Sequence, residues 1–480
     1  MKRIFWTFML SMFYINNAHA IVSPNTVWEF LSTATASSVN GGGYDATVSA
    51  GVGVDGTRSA EHAWFATDVV IGAVNNTLTS VSAPFLSTHT GNVVHCTAGS
   101  GFNITTANSF STILDVTGGV ATLFSSMGTA LASGGTCRAG GALMWDSTLA
   151  DDILETFRSS NTAYMKRGNY NLGEAVTVAT DAVIIPVQII GYDSTRGDNP
   201  GTSMPEIDTG ANLMTVTGDL FLFTNISFLG TGTGVITVGN SASAKNVKIR
   251  NTSATALRNG MALNSANKLL DSDFSSLNGT AISIGNNNSI LLEGNYIHHS
   301  TLGVTSTNTS GNDRFIHNLF ESIYSTGISY SGATSPQILT LYNTFIGTAS
   351  GSAGTGIYIA GSPVVTSVYA GNIFTNYAIG VDKKHGAGEG WNVEVWKNNN
   401  FFNNTVNVST TANIGDFKNY ALDPQFVSNP AIGFGNYNIG ANMKGIALPS
   451  GFGVSATTAS IDMGAVQTEQ GGTRSYSFTQ

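Results

Sequence analysis

The stretches NYIHHSTLGV at 295–304 and NLFESIYSTGI at 318–328 carry the same pattern twice. In each, an Asn precedes an aromatic or aliphatic pair, and a Gly then opens a short alternating run. The unit recurs along the second half of the chain at intervals of 22 to 29 residues. Its first residues are Asn225, Asn251, Asp273 in the Asn place, Asn295, Asn318, Asn343, Asn372 and Asn400. An internal repeat of this kind decides the fold before any single motif does.

The length of the repeat predicts a coiled parallel sheet. Three short strands fit into each period, and successive coils would stack about 4.8 Å apart. Asn suits the sharp bend, because it tolerates the left-handed conformation and its amide can bond to the amide one coil above. We therefore expect Asn295, Asn318, Asn343 and Asn372 to form a structural ladder. The alternative is a β-sandwich with Asn-rich loops, which would show turn signals about every 8 to 12 residues without vertical correspondence.

The composition disfavours several classes of protein. The chain has 480 residues, with 20 Lys and Arg, 29 Asp and Glu, a net charge of -9 and only 10% charged residues. Such a low charge disfavours a helical bundle, and 42% hydrophobic residues argue against disorder. The sequence shows no basic stripe for binding the phosphates of a nucleic acid, so no nucleic-acid partner is predicted.

The first twenty residues have the layout of a secretory signal peptide. Lys2 and Arg3 precede an apolar run from Ile4 to Ile15, and Ala18 and Ala20 then form a small-residue cleavage site. The apolar run is too short for a permanent transmembrane helix, and no later run is long enough. We therefore predict cleavage after Ala20 and a protein that is secreted, periplasmic or at the cell surface, with no membrane span after cleavage.

Residues 21–145 predict an N-terminal β module of short strands joined by glycine turns. ILDV at 113–116 and VATLF at 120–124 flank a glycine turn, which indicates a hairpin. Cys96 and Cys137 lie in Gly-rich segments at opposite ends of one part of this module, and export permits oxidation, so we predict a disulfide. Two buried thiols are the alternative. Without His partners at metal spacing, the cysteines do not make a zinc site.

A short amphipathic helix is predicted between this module and the repeats. Leu149, Ile153 and Phe157 recur every four residues, and Thr148 can cap the first turn. The predicted segments are a signal peptide at 1–20, an N-terminal β module at 21–145, a capping helix and linker at 146–162, a parallel β-helix at 163–468 and a disordered polar tail at 469–480.

The repeat region resembles the right-handed parallel β-helix proteins of the pectin-lyase-like superfamily. The resemblance covers 163–467 and rests on the repeats, the opening AYMKRGNYNL and the closing SIDMGAVQ at 460–467. NGGGYDA at 40–46 and GNVVHCTAGSGF at 91–102 are similar to a module that precedes such helices in phage-like and environmental bacterial proteins. The resemblance implies an all-β, three-sheet solenoid. It implies no single function, because the superfamily includes lyases, hydrolases, tailspikes and adhesins.

Enzymes of this superfamily cleave polysaccharides on an outer face. Lyases use clustered carboxylates that bind calcium with an Arg or Lys base, and hydrolases use two or three Asp. No segment matches either signature. Stacking the repeats brings Asp271 beside Glu293 and His298 beside Glu321, with His317 just before its bend. These five residues are the candidate catalytic cluster, because neighbouring carboxylates raise one pKa and place an acid beside a base. Ordinary solvent-facing polar residues are the alternative.

Aromatic residues are the candidates for glycan binding, because the apolar faces of sugars stack on aromatic planes. A Gly-rich charged loop, DKKHGAGEGW at 382–391, interrupts the repeat and ends in Trp391. The other candidates are Trp396, Tyr342 and Tyr369, with Tyr324, Tyr330 and Tyr358 on a similar face. Packing in the core is the competing interpretation for all of them.

Three functions are compatible with these patterns. The favoured one is an exported, non-catalytic β-helix that binds or displays against a polysaccharide or cell-surface glycan, as tailspike-like proteins do. The alternatives are a polysaccharide lyase or glycoside hydrolase, and a purely structural surface or virion protein. No metal or other cofactor is predicted, and calcium would accompany only a lyase. No pattern indicates the oligomeric state.

Overall fold

The computed structural model describes residues 27–32, 64–104, 109–140, 143–145, 154, 161–178, 187–194, 197–198, 200–201, 203–216, 221–230, 236–238, 243–251, 259–264, 267–285, 289–308, 312–331, 337–348, 354–360, 366–383, 394–410, 416–417 and 419–424. They hold 39 strands and a short 3-10 helix at Ser87–His89. Within these ranges no helix has the length and apolar character needed to cross a membrane. The chain divides into two units, Met1–Pro205 and Glu206–Gln480.

Several predicted features lie outside the described residues. They are the signal peptide, the glycine-rich loop from 384 to Trp391, the polar tail and, apart from the buried Leu154 and the last two residues of its segment, the capping helix. Asp382 and Lys383, predicted to begin that loop, instead end a buried strand.

The first unit contains an antiparallel barrel. The described strands of this unit, up to Tyr192, are β1 (Val27–Leu31), β2 (Trp64–Ile71), β3 (Thr77–Thr79), β4 (Val93–Phe102), β5 (Phe110–Thr117), β6 (Val120–Leu123), β7 (Gly128–Ala139), β8 (Leu143–Met144), β9 (Thr162–Lys166), β10 (Asn169–Asn171), β11 (Val176–Val178) and β12 (Val187–Tyr192). Strands β2 to β7 close the barrel in the order β2-β3-β6-β5-β4-β7. The hairpin predicted around the glycine turn is β5 and β6. Thr117 pairs with Val120, and Gly118 and Gly119 both have positive φ, which two-residue hairpin turns require.

A disulfide joins two strands of the barrel. Cys96 on β4 and Cys137 on β7 are directly paired across the antiparallel ladder, and their sulfurs are bonded. Both residues are fully buried in the barrel core, among side chains such as Trp64 and Phe85. The bonded residues are 41 positions apart, so the bond closes a long loop and restricts the unfolded chain.

The outermost strands of the sequence-predicted N-terminal module do not belong to the barrel. β1 and β8 lie in a parallel sheet in the order β12-β9-β1-β8. The barrel is therefore an insertion between two strands of that parallel sheet.

The second unit is a parallel β-helix with three sheets, each of nine strands among the described residues. Sheet 1 contains Glu206–Asp208, Ser227–Gly230, Lys248–Asn251, Asp273–Ser275, Tyr296–His298, Leu319–Glu321, Thr344–Ile346, Ile373–Thr375 and Asn400–Phe402. Sheet 2 contains Met214–Val216, Ile236–Val238, Met261–Leu263, Thr280–Ile284, Leu302–Ser306, Thr326–Tyr330, Thr355–Ile359, Ile379–Lys383 and Val406–Thr410. Sheet 3 contains Phe221–Thr224, Ser243–Lys245, Lys268–Leu270, Ile290–Glu293, Asn312–Ile316, Gln337–Leu341, Thr366–Ala370, Glu394–Lys397 and Asp416–Phe417. The chain runs from sheet 1 to sheet 2 to sheet 3, and each such circuit is one coil.

An asparagine ladder runs up the bend between sheet 3 and sheet 1. Asn295 Nδ2 donates to Asn318 Oδ1 at 2.9 Å, and the same bond links Asn318 to Asn343 and Asn343 to Asn372 at 3.0 and 3.1 Å. The ladder continues from Asn372 to Asn399, at 2.9 Å. These side chains are fully buried. A buried amide must satisfy its donors and acceptor internally, so the ladder fixes the height of each coil on the next.

The repeat alignment misses the ladder position in four places. In the two earliest coils, Val247 and Ile226 hold that position, so Asn225 is one residue and Asn251 four residues away from it. The other two errors are of one residue each. Ser272, not Asp273, occupies the ladder position below Asn295, because its backbone N–H donates to Asn295 Oδ1. At the other end the ladder uses Asn399, not Asn400, which pairs with Ile373 in sheet 1. In both places two polar residues stand side by side, and the sequence does not show which one lies at the bend.

A phenylalanine stack and a glycine row explain the rest of the repeat. Rings of Phe320, Phe345, Phe374 and Phe401 stack inside the coils with centroids 4.6, 4.8 and 5.0 Å apart. Glycines near the start of four sheet 2 strands lie against these rings, namely Gly303, Gly327, Gly356 and Gly380. A Cβ on Gly327 would be 2.5 Å from the next glycine's carbonyl oxygen and 2.9 Å from the Phe345 ring. Only a residue without a side chain allows this approach.

Candidate functional site at the corner between sheets 1 and 2

The corner where each coil passes from sheet 1 to sheet 2 holds a residue in the left-handed conformation. His299 has φ 51°, and Asn376 and Asn403 hold the same place in later coils with φ 64° and 54°. Asn and His are among the side chains that adopt this conformation most readily. The geometry of the coil therefore places His299 at the corner, half-buried and next to the first residues of sheet 2.

Three side chains form a hydrogen-bonded series at this corner. His298 Nε2 lies 2.9 Å from Asp273 Oδ1, and His298 Nδ1 lies 2.9 Å from His299 Nδ1. A carboxylate only accepts, so Nε2 of His298 carries the proton in the bond to Asp273. In the neutral tautomer of His298, Nδ1 accepts, so His299 donates from its own Nδ1 and its Nε2 is unprotonated. His298 is 4% exposed, whereas the corner residue His299 is more open.

A tyrosine and a glutamate complete the cluster. The Tyr296 ring stacks on His298 with centroids 4.1 Å apart, and its hydroxyl donates to Glu321 Oε2. Glu321 is the direct neighbour of His298 in sheet 1, as the repeat alignment predicted. Asp273, Tyr296 and His299 were not among the predicted site residues. The adjacent histidines of the HHS segment are the only sequence signal that pointed to them.

Burial lowers the pKa of His299, and the neighbouring His298 lowers it further, while the Glu321 carboxylate opposes them by raising it. A lowered pKa means that the imidazole is neutral near pH 7. His299 is therefore a base with an available lone pair under ordinary conditions.

The predicted pairing of Asp271 with Glu293 is corrected by the register. Glu293 pairs with Leu270, so Asp271 lies one place further, in the bend between sheets 3 and 1. The two carboxylates are still close enough to interact. Burial raises the pKa of both, the Asp271 charge adds to this at Glu293, and Lys245 opposes it at Asp271. This pair lies at the opposite edge of sheet 1 from His299, so the predicted catalytic cluster is divided between two edges.

The remaining predicted site residues are buried where the structure describes them. His317 lies in the bend between sheets 3 and 1, stacked on Tyr342 with centroids 5.2 Å apart. Tyr369 and Trp396 stack at 4.0 Å in the inward row of sheet 3. No sugar can stack on rings that are covered in this way, so the expectation that Tyr342, Tyr369 and Trp396 bind glycan is wrong. Tyr330 is buried too.

Sheet 2 carries hydroxyl groups outward in register. Ser283, Thr305, Ser329 and Tyr358 are consecutive partners in neighbouring coils, and all are half-buried. The residues on either side of them are buried, so these side chains point away from the core. A second outward row, with Thr280, Leu302, Thr326 and Thr355, begins the same strands.

An exposed aromatic residue lies in the coil after that of His299. Tyr324 is 56% exposed, and its backbone N–H donates to the carbonyl of Ser300, which follows His299 in the neighbouring coil. The corner thus combines an accessible aromatic ring, a basic nitrogen and the ends of two polar rows.

Residues 213–438 match a protein family described as periplasmic copper-binding protein, NosD. Copper in proteins is held by histidine, cysteine or methionine ligands in a convergent group. In the described ranges, no three His, Cys, Asp or Glu side chains are placed to hold a metal ion, and both cysteines are bonded to each other.

No curated protein matches the sequence. Among solved structures, a mannuronic acid specific family 6 polysaccharide lyase from human gut microbiota is 12% identical, with a TM-score of 0.36 over 55% of this chain and 80% of that chain. The pectate lyase Pel9A is 16% identical, with a TM-score of 0.40 over 68% of this chain and 91% of that one. These likenesses are too distant to assign residues or chemistry. With its three parallel sheets the chain is a parallel β-helix protein, and its residues 213–438 are similar to the NosD family.

Proposed function

We propose that the protein is exported and binds an extended polysaccharide along the outer face of sheet 2. The observation that carries this proposal is the in-register row of Ser283, Thr305, Ser329 and Tyr358. Neighbouring coils are about 4.8 Å apart, so the row offers a hydroxyl at a spacing close to one sugar residue. A repeating ligand can then make the same weak contact in coil after coil.

Tyr324 would anchor the chain at one edge of this face. A tyrosine ring presents an apolar face together with a hydroxyl, which suits the mixed surface of a sugar. With 56% of its surface exposed, Tyr324 is also the most exposed aromatic side chain in the described part of the second unit. It replaces the buried aromatics as the stacking candidate.

Two separate features support export. Residues 1–20 have the signal-peptide pattern, and the family matched by residues 213–438 is described as periplasmic. The disulfide in the barrel fits an oxidising compartment as well.

The proposal is tested by measuring retention on a panel of neutral and acidic polysaccharides, by affinity electrophoresis and then calorimetry for any polymer that binds. Tyr324→Ala should weaken binding about tenfold, equivalent to about 1.4 kcal/mol. Thr305→Val, which keeps the shape and removes one hydroxyl of the row, should weaken it less.

Leu114→Ala is the matched control, since Leu114 is 47% exposed but lies in the N-terminal barrel. It should leave affinity unchanged. If no polysaccharide is retained by the wild-type protein, the binding proposal fails and a structural role is the better interpretation.

A further inference from the structure

The hydrogen-bonded series at the corner ends in an open nitrogen. Asp273 holds one side of His298, and His298 holds Nδ1 of His299. Nε2 of His299 has no hydrogen-bonding partner among the residues that the structure describes. It lies at the corner beside Tyr324 and next to the sheet 2 rows.

This arrangement can accept one proton without rearrangement. A proton added at Nε2 leaves the bond from His299 Nδ1 to His298 Nδ1 in place, and it strengthens that bond because the donor is now charged. The positive charge is then compensated by Asp273 through His298 and by the nearby Glu321. A proton on Nδ1 of His298 would instead face the proton that His299 carries on its own Nδ1 in this tautomer. With His299 in this tautomer, Nε2 is the nitrogen of the pair that takes a proton without any change of hydrogen-bond direction.

The chemistry of the cluster narrows the reaction that such a base would serve. Hydrolysis of a glycosidic bond usually needs two carboxyl groups on opposite sides of it, but Asp273 and Glu321 are held by His298 and Tyr296. Removing a proton beside an ionised uronate carboxylate would build negative charge next to these same two carboxylates, which is unfavourable. Hydrolysis of an ester on an uncharged sugar needs only one base that takes a proton from water and later returns it.

We propose that Asp273, His298 and His299 form a proton relay, and that Nε2 of His299 is the general base that hydrolyses an acyl ester on an uncharged polysaccharide. This proposal rests on the proposed binding function. His299 is the catalytic residue, and Asp273 and His298 are positioning residues. Nε2 takes a proton from water as the water oxygen bonds to the ester carbonyl carbon. The bond from this carbon to the sugar oxygen then breaks, and that oxygen takes the proton from Nε2. One water and one ester give one carboxylic acid and one sugar hydroxyl.

The experiment measures acetate released from acetylated xylan and acetylated glucomannan, with the chemically deacetylated polymers as blanks. His299→Asn is the key variant, because Asn376 and Asn403 hold the same corner position in other coils. It should lower kcat about 10²- to 10⁴-fold with KM and polymer retention unchanged. The corresponding control is Asn312→Ala. Asn312 is the exposed first residue of a sheet 3 strand, so this change should leave kcat unaltered.

The pH profile separates a relay from a structural role. Asp273, His298, Glu321 and Tyr296 are the titratable groups around His299. Asp273→Asn removes a charge that stabilises the protonated relay, so the acidic limb of kcat should move to lower pH.

A wild-type protein that retains acetylated polymer but releases no acetate would overturn the relay proposal and leave binding intact. Full activity of His299→Asn would overturn the relay as well. Acetate release without measurable retention would support the relay and contradict the binding proposal, and the absence of both would remove both.

Discussion

Truncating one rung of the asparagine ladder is the sharpest test of what holds the coils together. Asn318 makes four side-chain hydrogen bonds. Its Nδ2 donates to the carbonyl of Leu292 and to Asn343 Oδ1, and its Oδ1 accepts from the backbone N–H and the side-chain amide of Asn295. All of these distances lie between 2.9 and 3.0 Å. The side chain is fully buried, so water cannot replace these bonds.

The magnitude follows from the partners that Asn318→Ala would leave behind. Asn343 Oδ1 still accepts from the backbone N–H of Asn318, but the two N–H groups of Asn295 and the Leu292 carbonyl lose the partner described here. A buried group that loses its partner costs about 1 to 3 kcal/mol, so the three together should lower the free energy of unfolding by at least about 3 kcal/mol.

Urea unfolding followed by circular dichroism measures this difference, with Asn312→Ala as the matched control. Asn312 is the exposed first residue of its sheet 3 strand, and its truncation should change stability by less than about 0.5 kcal/mol. If Asn318→Ala were no more destabilising than Asn312→Ala, the ladder would not be what fixes the coils, and the hydrogen-bond reasoning would be refuted.

Three further changes test other parts of the fold. Gly327→Ala places a Cβ 2.5 Å from a carbonyl oxygen, so the thermal midpoint should fall, with a loss of about 1 to 3 kcal/mol; an unchanged midpoint would contradict the close approach. Replacing Cys96 and Cys137 with Ser opens a loop of 41 residues and should cost the barrel about 4 kcal/mol in urea unfolding, whereas a barrel that unfolds at the same urea concentration would argue against this estimate. Hydrogen bonds, first from the Ser80 hydroxyl, lower the pKa of Asp68 from 3.8 to about 2. Its stabilisation is therefore present above pH 4 and lost as the pH falls toward 2, and Asp68→Asn should flatten an acid titration of stability in that window.

The sequence was sufficient for the features that recur in the later coils. From Asn318 to Asn399, an Asn at the bend, a Phe two residues later and a Gly near the start of the sheet 2 strand each pack against the same residue type in the next coil. A constraint that repeats in space must repeat along the chain, so the Asn295 to Asn372 ladder could be predicted. Ser272 broke the pattern, and the adjacent Asp273 was mistaken for it, because a shift of one residue leaves the period unchanged.

The candidate site was less predictable, because it depends on where individual side chains point and not on the spacing of the repeat along the sequence. The alignment brought His298 beside Glu321, but the contact between His298 and Asp273 is diagonal across two coils. The role of His299 depends on the left-handed corner, which orients the ring toward its neighbour. Tyr369 and Trp396 were wrongly predicted for the same reason. Their sequence is compatible with either face of a strand, and the phase set by the preceding bend points them inward.

The asparagine ladder also makes the coil an interchangeable evolutionary unit. Every amide donates in the same direction along the chain, so each coil presents one acceptor to the coil before it and one donor to the coil after it. Duplicating or deleting a whole coil that carries its own Asn joins the same donor to the same acceptor and leaves no buried group without a partner. A gene for this protein can therefore change its number of repeats in single steps, and the length of the outer face can change without redesign of the core.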